Sequence, residues 1–217
     1  MTEPVGLFDL DDTLIRRQAA YERWAAEFSD KHRVPLEWLL ETDPAYSSRR
    51  AEFFTLVKAT FGVQPGVPEL HAQYRRRLPE LIEPDPRVNA MLAGLREAGW
   101  RLGVVTNGLV DKQTTKIRRA GLHDLVDAVV ISDALDVWKP DARIFHHALT
   151  QLGTRPGPHV VMVGDSLEND VAGAHGAGLT AVWVSDGRPL PSTGPRPHHT
   201  IRTVHEASAL LAQREAG

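Results

Sequence analysis

Five short apolar runs, each followed by a helical pattern or a turn signal, restrict what this chain can fold into more than any other feature. They lie at 5–10, 102–106, 128–132, 160–164 and 181–185, each of strand length and bounded by turn residues. Helical patterns at 86–99, 111–121, 141–153 and 168–178 each end near a glycine able to close a helix. Strands that alternate with helices build a parallel sheet covered on both faces. The expected fold class is therefore α/β, with a doubly wound parallel-sheet, Rossmann-like core. A proline-rich stretch at 188–199 reads as a surface loop, leading to a short strand near Thr200-Ile201 and a closing helix at 204–214.

One interval breaks the rhythm. A strand-helix-strand unit takes about 30 residues or more, yet residues 11–101 separate the first two strands. An inserted domain is expected at 15–84, leaving 1–14 and 85–217 as the catalytic core. The insert has helical periodicity at 19–31, 36–40, 48–61 and 68–81, with breakers at Pro35, Pro44, Gly62, Pro65-Gly66 and Pro84-Asp85-Pro86. It reads as an all-helical cap, leaving and rejoining the core beside the end of the first strand, where it can act as a lid.

Composition excludes several classes of partner. With 217 residues, 42% of them hydrophobic and 24% charged, the chain can bury a full core. A net charge of -3 gives no basic face for nucleic acid and no polybasic membrane patch. The absence of cysteine removes disulfides and thiolate metal sites. The first strand begins almost at Met1 with no room for a signal peptide, and no apolar run approaches the roughly 18 residues of a membrane span, so a cytoplasmic protein is expected. Its partner is expected to be a small-molecule substrate, with the chain a monomer or a homodimer.

The chemistry is concentrated in four segments: Asp9-Leu10-Asp11-Asp12-Thr13, Thr106-Asn107, Lys139-Pro140, and Gly164-Asp165 followed by Asp170. If the first strand runs on through Leu10, Asp9 and Asp11 share one side of the chain. One carboxylate can then attack phosphorus while the other carries a proton to and from the leaving oxygen. Asp165 follows the fourth strand and meets Asp9 if those strands flank the switch point of the sheet, which is where such sheets bind ligands. An all-oxygen site of this kind suits Mg²⁺ rather than zinc. Lys139, Thr106 and main-chain N–H groups can supply donors around a transferring phosphoryl group.

In their order and spacing these segments resemble the haloacid dehalogenase superfamily of phosphohydrolases, over essentially the whole chain. The resemblance rests on the DxDxT signature at Asp9–Thr13, the strand-end threonine in Val105-Thr106-Asn107-Gly108, Lys139-Pro140-Asp141, and Gly164-Asp165-Ser166-Leu167-Glu168-Asn169-Asp170. It implies Asp9 as nucleophile and Asp11 as general acid/base and main-chain carbonyl ligand of the metal. Thr106 and Lys139 become phosphate holders, joined by Thr13 and Asn107. Asp9 and Asp165 become Mg²⁺ ligands, and Asp170 a ligand or a partner of one. It also implies that relatives acting on carbon–halogen bonds lack an aspartate at the Asp11 position, because they have no alkoxide to protonate. A phosphate ester is thus the expected substrate, with phosphomutase, 2-haloacid dehalogenase and non-enzymatic binding module as alternatives.

Each assignment has a simpler competitor. Asp11-Asp12-Thr13 also suits a helix N-terminus, and a lysine before proline is ordinarily a solvated loop residue. Gly173, Gly176 and Gly178 lack the order of a nucleotide loop and suggest close helix–sheet packing. His146-His147 and His198-His199 lack ligand spacing. In the insert, Arg16 and Arg17 at the hinge and Arg49 and Arg50 at the start of a helix can each clamp a substrate anion bidentately. However, arginine outnumbers lysine 20 to 5 over the chain, which makes any one arginine weak support. Tyr21, Trp24 and Phe28 recur at helical spacing and read as cap core rather than a base-stacking platform.

Overall fold

The computed structural model describes residues 3–46 and 49–215. It contains a six-stranded sheet: β1 (Val5–Phe8), β2 (Arg101–Thr106), β3 (Ala128–Ile131), β4 (Val160–Gly164), β5 (Thr180–Val184) and β6 (His199–Ile201). The strand order is β3-β2-β1-β4-β5-β6, parallel throughout. The chain runs outward from β1 to β3 and restarts at β4 on the other side of β1, so the switch point lies between β1 and β4. Val5 is aligned with both Arg101 and Val160 across these pairings. Every residue of β1, β4 and β5 is buried, which is why they read as unbroken apolar runs rather than alternating ones.

The chain divides into two compact units, Arg17–Glu83 and the remainder. The smaller is all helical: α1 (Arg17–His32), α2 (Leu36–Tyr46), α3 (Arg50–Phe61) and α4 (Val67–Glu80). Its interior is aromatic. Trp24 packs on Phe28 at 4.9 Å and edge-on to Tyr74 at 4.9 Å and Phe54 at 5.9 Å, so Tyr21, Trp24 and Phe28 belong to the core as their spacing suggests. Two details differ from the sequence reading. α2 runs through Pro44 to Tyr46 instead of ending at residue 40; proline removes one hydrogen bond close to the end, and burial of Leu39 and Asp43 carries the last turn across it. The helix expected from residue 48 begins at Arg50, and Ser48 itself lies outside the described residues.

In the larger unit the helices are α5 (Pro86–Glu97), α6 (Val110–Arg119), α7 (Ser132–Leu135), α8 (Ala142–Gln151), α9 (Gly173–Gly176) and α10 (Ala207–Glu215). Asp85 and Asp141 cap α5 and α8 by accepting from the N–H two residues on, each at 2.9 Å. α8 fits beneath the sheet, with Ile144, Phe145, Ala148 and Leu149 in one core with Val5, Leu7, Val105 and Met162. A wider π-helical turn, Leu167–Ala172, precedes α9. Of the three glycines expected to allow close packing only Gly173 does so: a Cβ there would meet the Phe145 ring at 2.6 Å, whereas Gly176 faces open space. Among the described residues no helix is long and apolar enough to cross a membrane.

Among the described residues of the smaller unit one ion pair is buried. Arg50 Nη1 lies 2.6 Å from Asp43 Oδ1, with the two side chains only 7% and 2% exposed. The guanidinium also stacks against Tyr74, Phe53 and Tyr21 at 4.8, 5.0 and 5.3 Å. Removing one partner of a buried pair costs about 3–5 kcal/mol, while replacing both with packed apolar groups is close to neutral. Denaturant unfolding should therefore show Arg50→Met destabilised by about that amount and the Asp43→Leu/Arg50→Met double substitution largely restored.

Candidate active site

β1 ends at Phe8, two residues short of the expected strand. Asp9 N–H still donates to Val163 at 2.9 Å, but the chain then winds on itself: Leu14 and Ile15 N–H groups both return to the Leu10 carbonyl at 3.0 Å, and Asp12 takes a left-handed φ of 59°. Strand alternation therefore does not govern Asp9 and Asp11. Each carboxylate meets a different cation.

Asp9 Oδ1 accepts from Lys139 Nζ at 2.6 Å, and the same ammonium donates to Asp170 Oδ1 at 2.6 Å. The second Asp170 oxygen accepts from Ser166 N–H at 2.9 Å. The wide turn after β4 aims Asp170 back at its own strand end so closely that any side chain at Gly164 would overlap its carboxylate. Lys139 is fixed through its main chain: Asn107 Oδ1 accepts from its N–H at 2.8 Å and Asn107 Nδ2 donates to its carbonyl at 3.0 Å. Asn107 thus braces the main chain of Lys139. Asp165 completes the group, its side chain 25% exposed, with Arg188 Nη2 at 3.5 Å from Oδ2 and 2.9 Å from its carbonyl.

Charge in this group is unbalanced. Asp9, Asp165 and Asp170 each offer an oxygen within 4.8 Å of the others, against the ammonium of Lys139 and, at the solvent edge, the guanidinium of Arg188. Burial pushes the Asp9 carboxyl up to about 8 despite Lys139, with Asp170 and Asp11 adding to the rise. Burial and Asp170 likewise push Asp165 up to about 6. Burial acts to lower Lys139, but the two carboxylates outweigh it and hold the ammonium above its ordinary range. Three oxygen ligands carrying surplus negative charge, one of them open to solvent, are what a hard divalent cation needs. The donor set can hold one.

Asp11 faces α6. Both its oxygens accept from Lys116 Nζ, at 2.6 and 2.7 Å, and Oδ2 also accepts from Gln113 Nε2 at 3.0 Å. Gln113 donates to Thr106 Oγ1 at 2.6 Å as well. Thr106 is buried at the end of β2, and the Thr13 hydroxyl is buried in the β1 loop with no hydrogen-bond partner among the described residues. Lys116, Gln113 and Arg188 were not legible as site residues. The available signal was α6 itself, whose buried positions are Gln113, Lys116 and Ile117, polar where a packing helix would be apolar. Of the arginines expected to contact an anion, Arg16 is exposed, Arg49 pairs with Glu52 at 3.0 Å and the Ala45 carbonyl at 2.9 Å on the surface, and Arg50 is paired with Asp43 in the interior of the smaller unit.

Comparison with known proteins fits this geometry. Residues 6–184 match the family model described as haloacid dehalogenase-like hydrolase. The chain is 33% identical over 151 residues to the pyrimidine 5'-nucleotidase YjjG of Escherichia coli, covering 70% of this chain and 66% of that protein. It is 34% identical over 200 residues to the glyceraldehyde 3-phosphate phosphatase of Methanopyrus kandleri, covering 84% of each. Its structure superposes on a 2-haloacid dehalogenase from Pseudomonas syringae at a TM-score of 0.65 and 27% identity, covering 98% of this chain and 100% of that one. The same fold therefore serves carbon–halogen and phosphoester chemistry among proteins this similar, and the reaction must be argued from individual side chains. A sheet with its acidic cluster at the switch point, the four ordered motifs and the match across most of its length together establish that the chain belongs to the haloacid dehalogenase-like hydrolases.

Proposed function

We propose that the protein is a magnesium-dependent phosphomonoester hydrolase that acts on a small phosphorylated metabolite through an aspartyl-phosphate intermediate. The observation that carries the reading is the buried Asp9–Lys139–Asp170 chain with Asp165 beside it. Asp9, Asp165 and Asp170, with the Asp11 carbonyl, would hold Mg²⁺, which when bound neutralises phosphoryl charge and favours the anionic form of Asp9.

The protein's own residues perform the rest. Asp9 Oδ attacks phosphorus as the bond from phosphorus to the ester oxygen breaks, and the Asp11 carboxyl gives its proton to that oxygen. Water then attacks phosphorus and yields a proton to Asp11, and the bond to Asp9 breaks with release of phosphate. An ammonium has three donors, and two of those on Lys139 are engaged by Asp9 and Asp170; the third is left for a phosphoryl oxygen. Thr106 and Thr13 supply hydroxyls. Residues 17–83 act as the cap that selects the substrate, and Arg16, exposed at the hinge, meets an anionic tail. The reading places the enzyme in the cytoplasm as a monomer or homodimer.

The acid at Asp11 favours an ester over a carbon–halogen bond, where no alkoxide needs a proton. The relatives named for nucleotide and glyceraldehyde 3-phosphate hydrolysis support the same choice. A phosphomutase would use the same groups and differ in passing the phosphoryl group to a bound sugar. A Mg²⁺-supplemented screen of nucleoside monophosphates, sugar phosphates, glyceraldehyde 3-phosphate and phosphoglycolate, read as phosphate release, tests the proposal; an isomerised product in place of free phosphate would support the mutase.

Asp9→Asn and chelation should each abolish turnover, and calorimetry should record markedly weakened Mg²⁺ binding by Asp165→Ala; robust turnover by Asp9→Asn would falsify the covalent route. A positioned general acid is worth roughly 10²- to 10⁴-fold. Asp11→Asn should lose about that much in kcat/KM on an alkyl phosphate and far less on p-nitrophenyl phosphate, whose leaving group departs readily as an anion.

A further inference from the structure

We infer that Gln113 and Lys116 form a bracket on α6 that orients the Asp11 carboxylate for proton transfer and ties it to the phosphate-holding Thr106, which makes them positioning residues of the reaction. This inference rests on the reading of Asp11 as general acid/base.

The first ground is burial without another purpose. Lys116 is 2% exposed and Gln113 1%, and an ammonium or an amide withdrawn from water is costly unless fully partnered. The hydrogen bonds of Lys116 Nζ run to the two oxygens of Asp11, 105 residues away in sequence. α6 has ten residues, and of its three buried ones two are these polar groups. A helix serving only to cover the sheet would place apolar side chains there.

The second ground is the shape of the contact. A single oxygen–ammonium contact leaves a carboxylate free to rotate, whereas Lys116 engages both Asp11 oxygens, at 2.6 and 2.7 Å, and Gln113 Nε2 fixes one of them from a second direction at 3.0 Å. The same Nε2 lies 2.6 Å from Thr106 Oγ1 and 3.3 Å from the Asn107 carbonyl. One amide thus sets the distance between the proton carrier and the hydroxyl at the end of β2, and Asn107 continues the chain to Lys139. The Asp11 side chain keeps 25% exposure, so it is held from behind and remains open on its outer side. General acid catalysis depends on the proton lying within hydrogen-bond reach of the leaving oxygen; Lys116, which holds the proton carrier alone, affects bond breaking where the leaving oxygen needs that proton, while Gln113 also holds Thr106 and so acts in part on every ester.

The test compares kcat/KM on n-propyl phosphate and p-nitrophenyl phosphate with the full-length protein and Mg²⁺. Lys116→Met should lose roughly 10- to 100-fold on the propyl ester, a part of the 10²- to 10⁴-fold span of a general acid, and less than about threefold on the nitrophenyl ester, while Gln113→Leu, which also releases Thr106, should lose on both esters but at least several-fold more on the propyl ester. Lys116→Arg should recover most of the propyl activity. Placed in the Asp11→Asn background, Lys116→Met should cause no further loss. Equal losses on the two esters, or an undiminished loss in the Asp11→Asn background, would overturn the bracket and leave the pair a packing feature of α6. Should Lys116→Met fail to fold, Gln113→Leu and Lys116→Arg give the same comparison. Equal losses for Asp11→Asn alone would refute the acid/base reading itself and the bracket with it, a result separable from failure of the bracket because it appears with Gln113 and Lys116 intact.

Discussion

The site is organised around one ammonium between two carboxylates. Lys139 is almost completely buried, as is Asp170, and Asp9 nearly so. Each would be costly to bury alone. Together they require that the loop after β1, the loop after α7 and the turn after β4 converge on a point a few ångströms across. The parallel sheet makes that convergence possible, because β1 lies between β2 and β4 and all the strands end on the same side. Asn107 extends the constraint to β2 by clasping the Lys139 main chain.

The cluster sets three carboxylates against Lys139 and Arg188, and burial, reinforced by neighbouring carboxylates, raises Asp9 and Asp165. In a purely structural cluster the surplus would be destabilising and would gain nothing. In the proposed phosphohydrolase it would be a form of preorganisation: the carboxylates are already oriented, and binding of a divalent ion would relieve a repulsion already present in the protein alone.

The sequence discloses the parts whose physics is local. Strands such as β4 and β5, buried on both faces, must be apolar along their whole length, and caps such as Asp85 and Asp141 sit where a helix begins. The loop holding Asp9 was identifiable because its residue types have few other uses in that order. Its conformation was not, since the turn that ends β1 at Phe8 rests on main-chain hydrogen bonds back to the Leu10 carbonyl, which no particular side chain announces. Lys116 and Gln113 were illegible for a different reason. Their role depends on which helix face meets Asp11, over a hundred residues away, and a polar helix with basic residues reads by default as a solvated one. Arg50 differs in the opposite direction: an arginine at the start of a helix in the insert suggests a clamp for a substrate anion, and only the buried position of Asp43 reveals that its counter-charge is internal.

The wide turn at Leu167–Ala172 has a consequence for how this chain tolerates change. There Asp170 and Val171 N–H groups both reach back to the Ser166 carbonyl, at 2.9 and 3.2 Å, so the turn accommodates one residue more than a regular helix would. That residue acts as a phase shifter. It lets Asp170 point to the strand ends while Gly173 and Ala174, a few residues later, still settle into the core against α8. Each helical residue advances about 100° around the axis. A one-residue deletion here would therefore leave either the carboxylate or the packing face turned away, whereas the loop at 188–198 connects two strands with no such angular demand. Insertions and deletions through descent should be rare at the turn and common in that loop, a difference set by angular phase rather than by exposure alone.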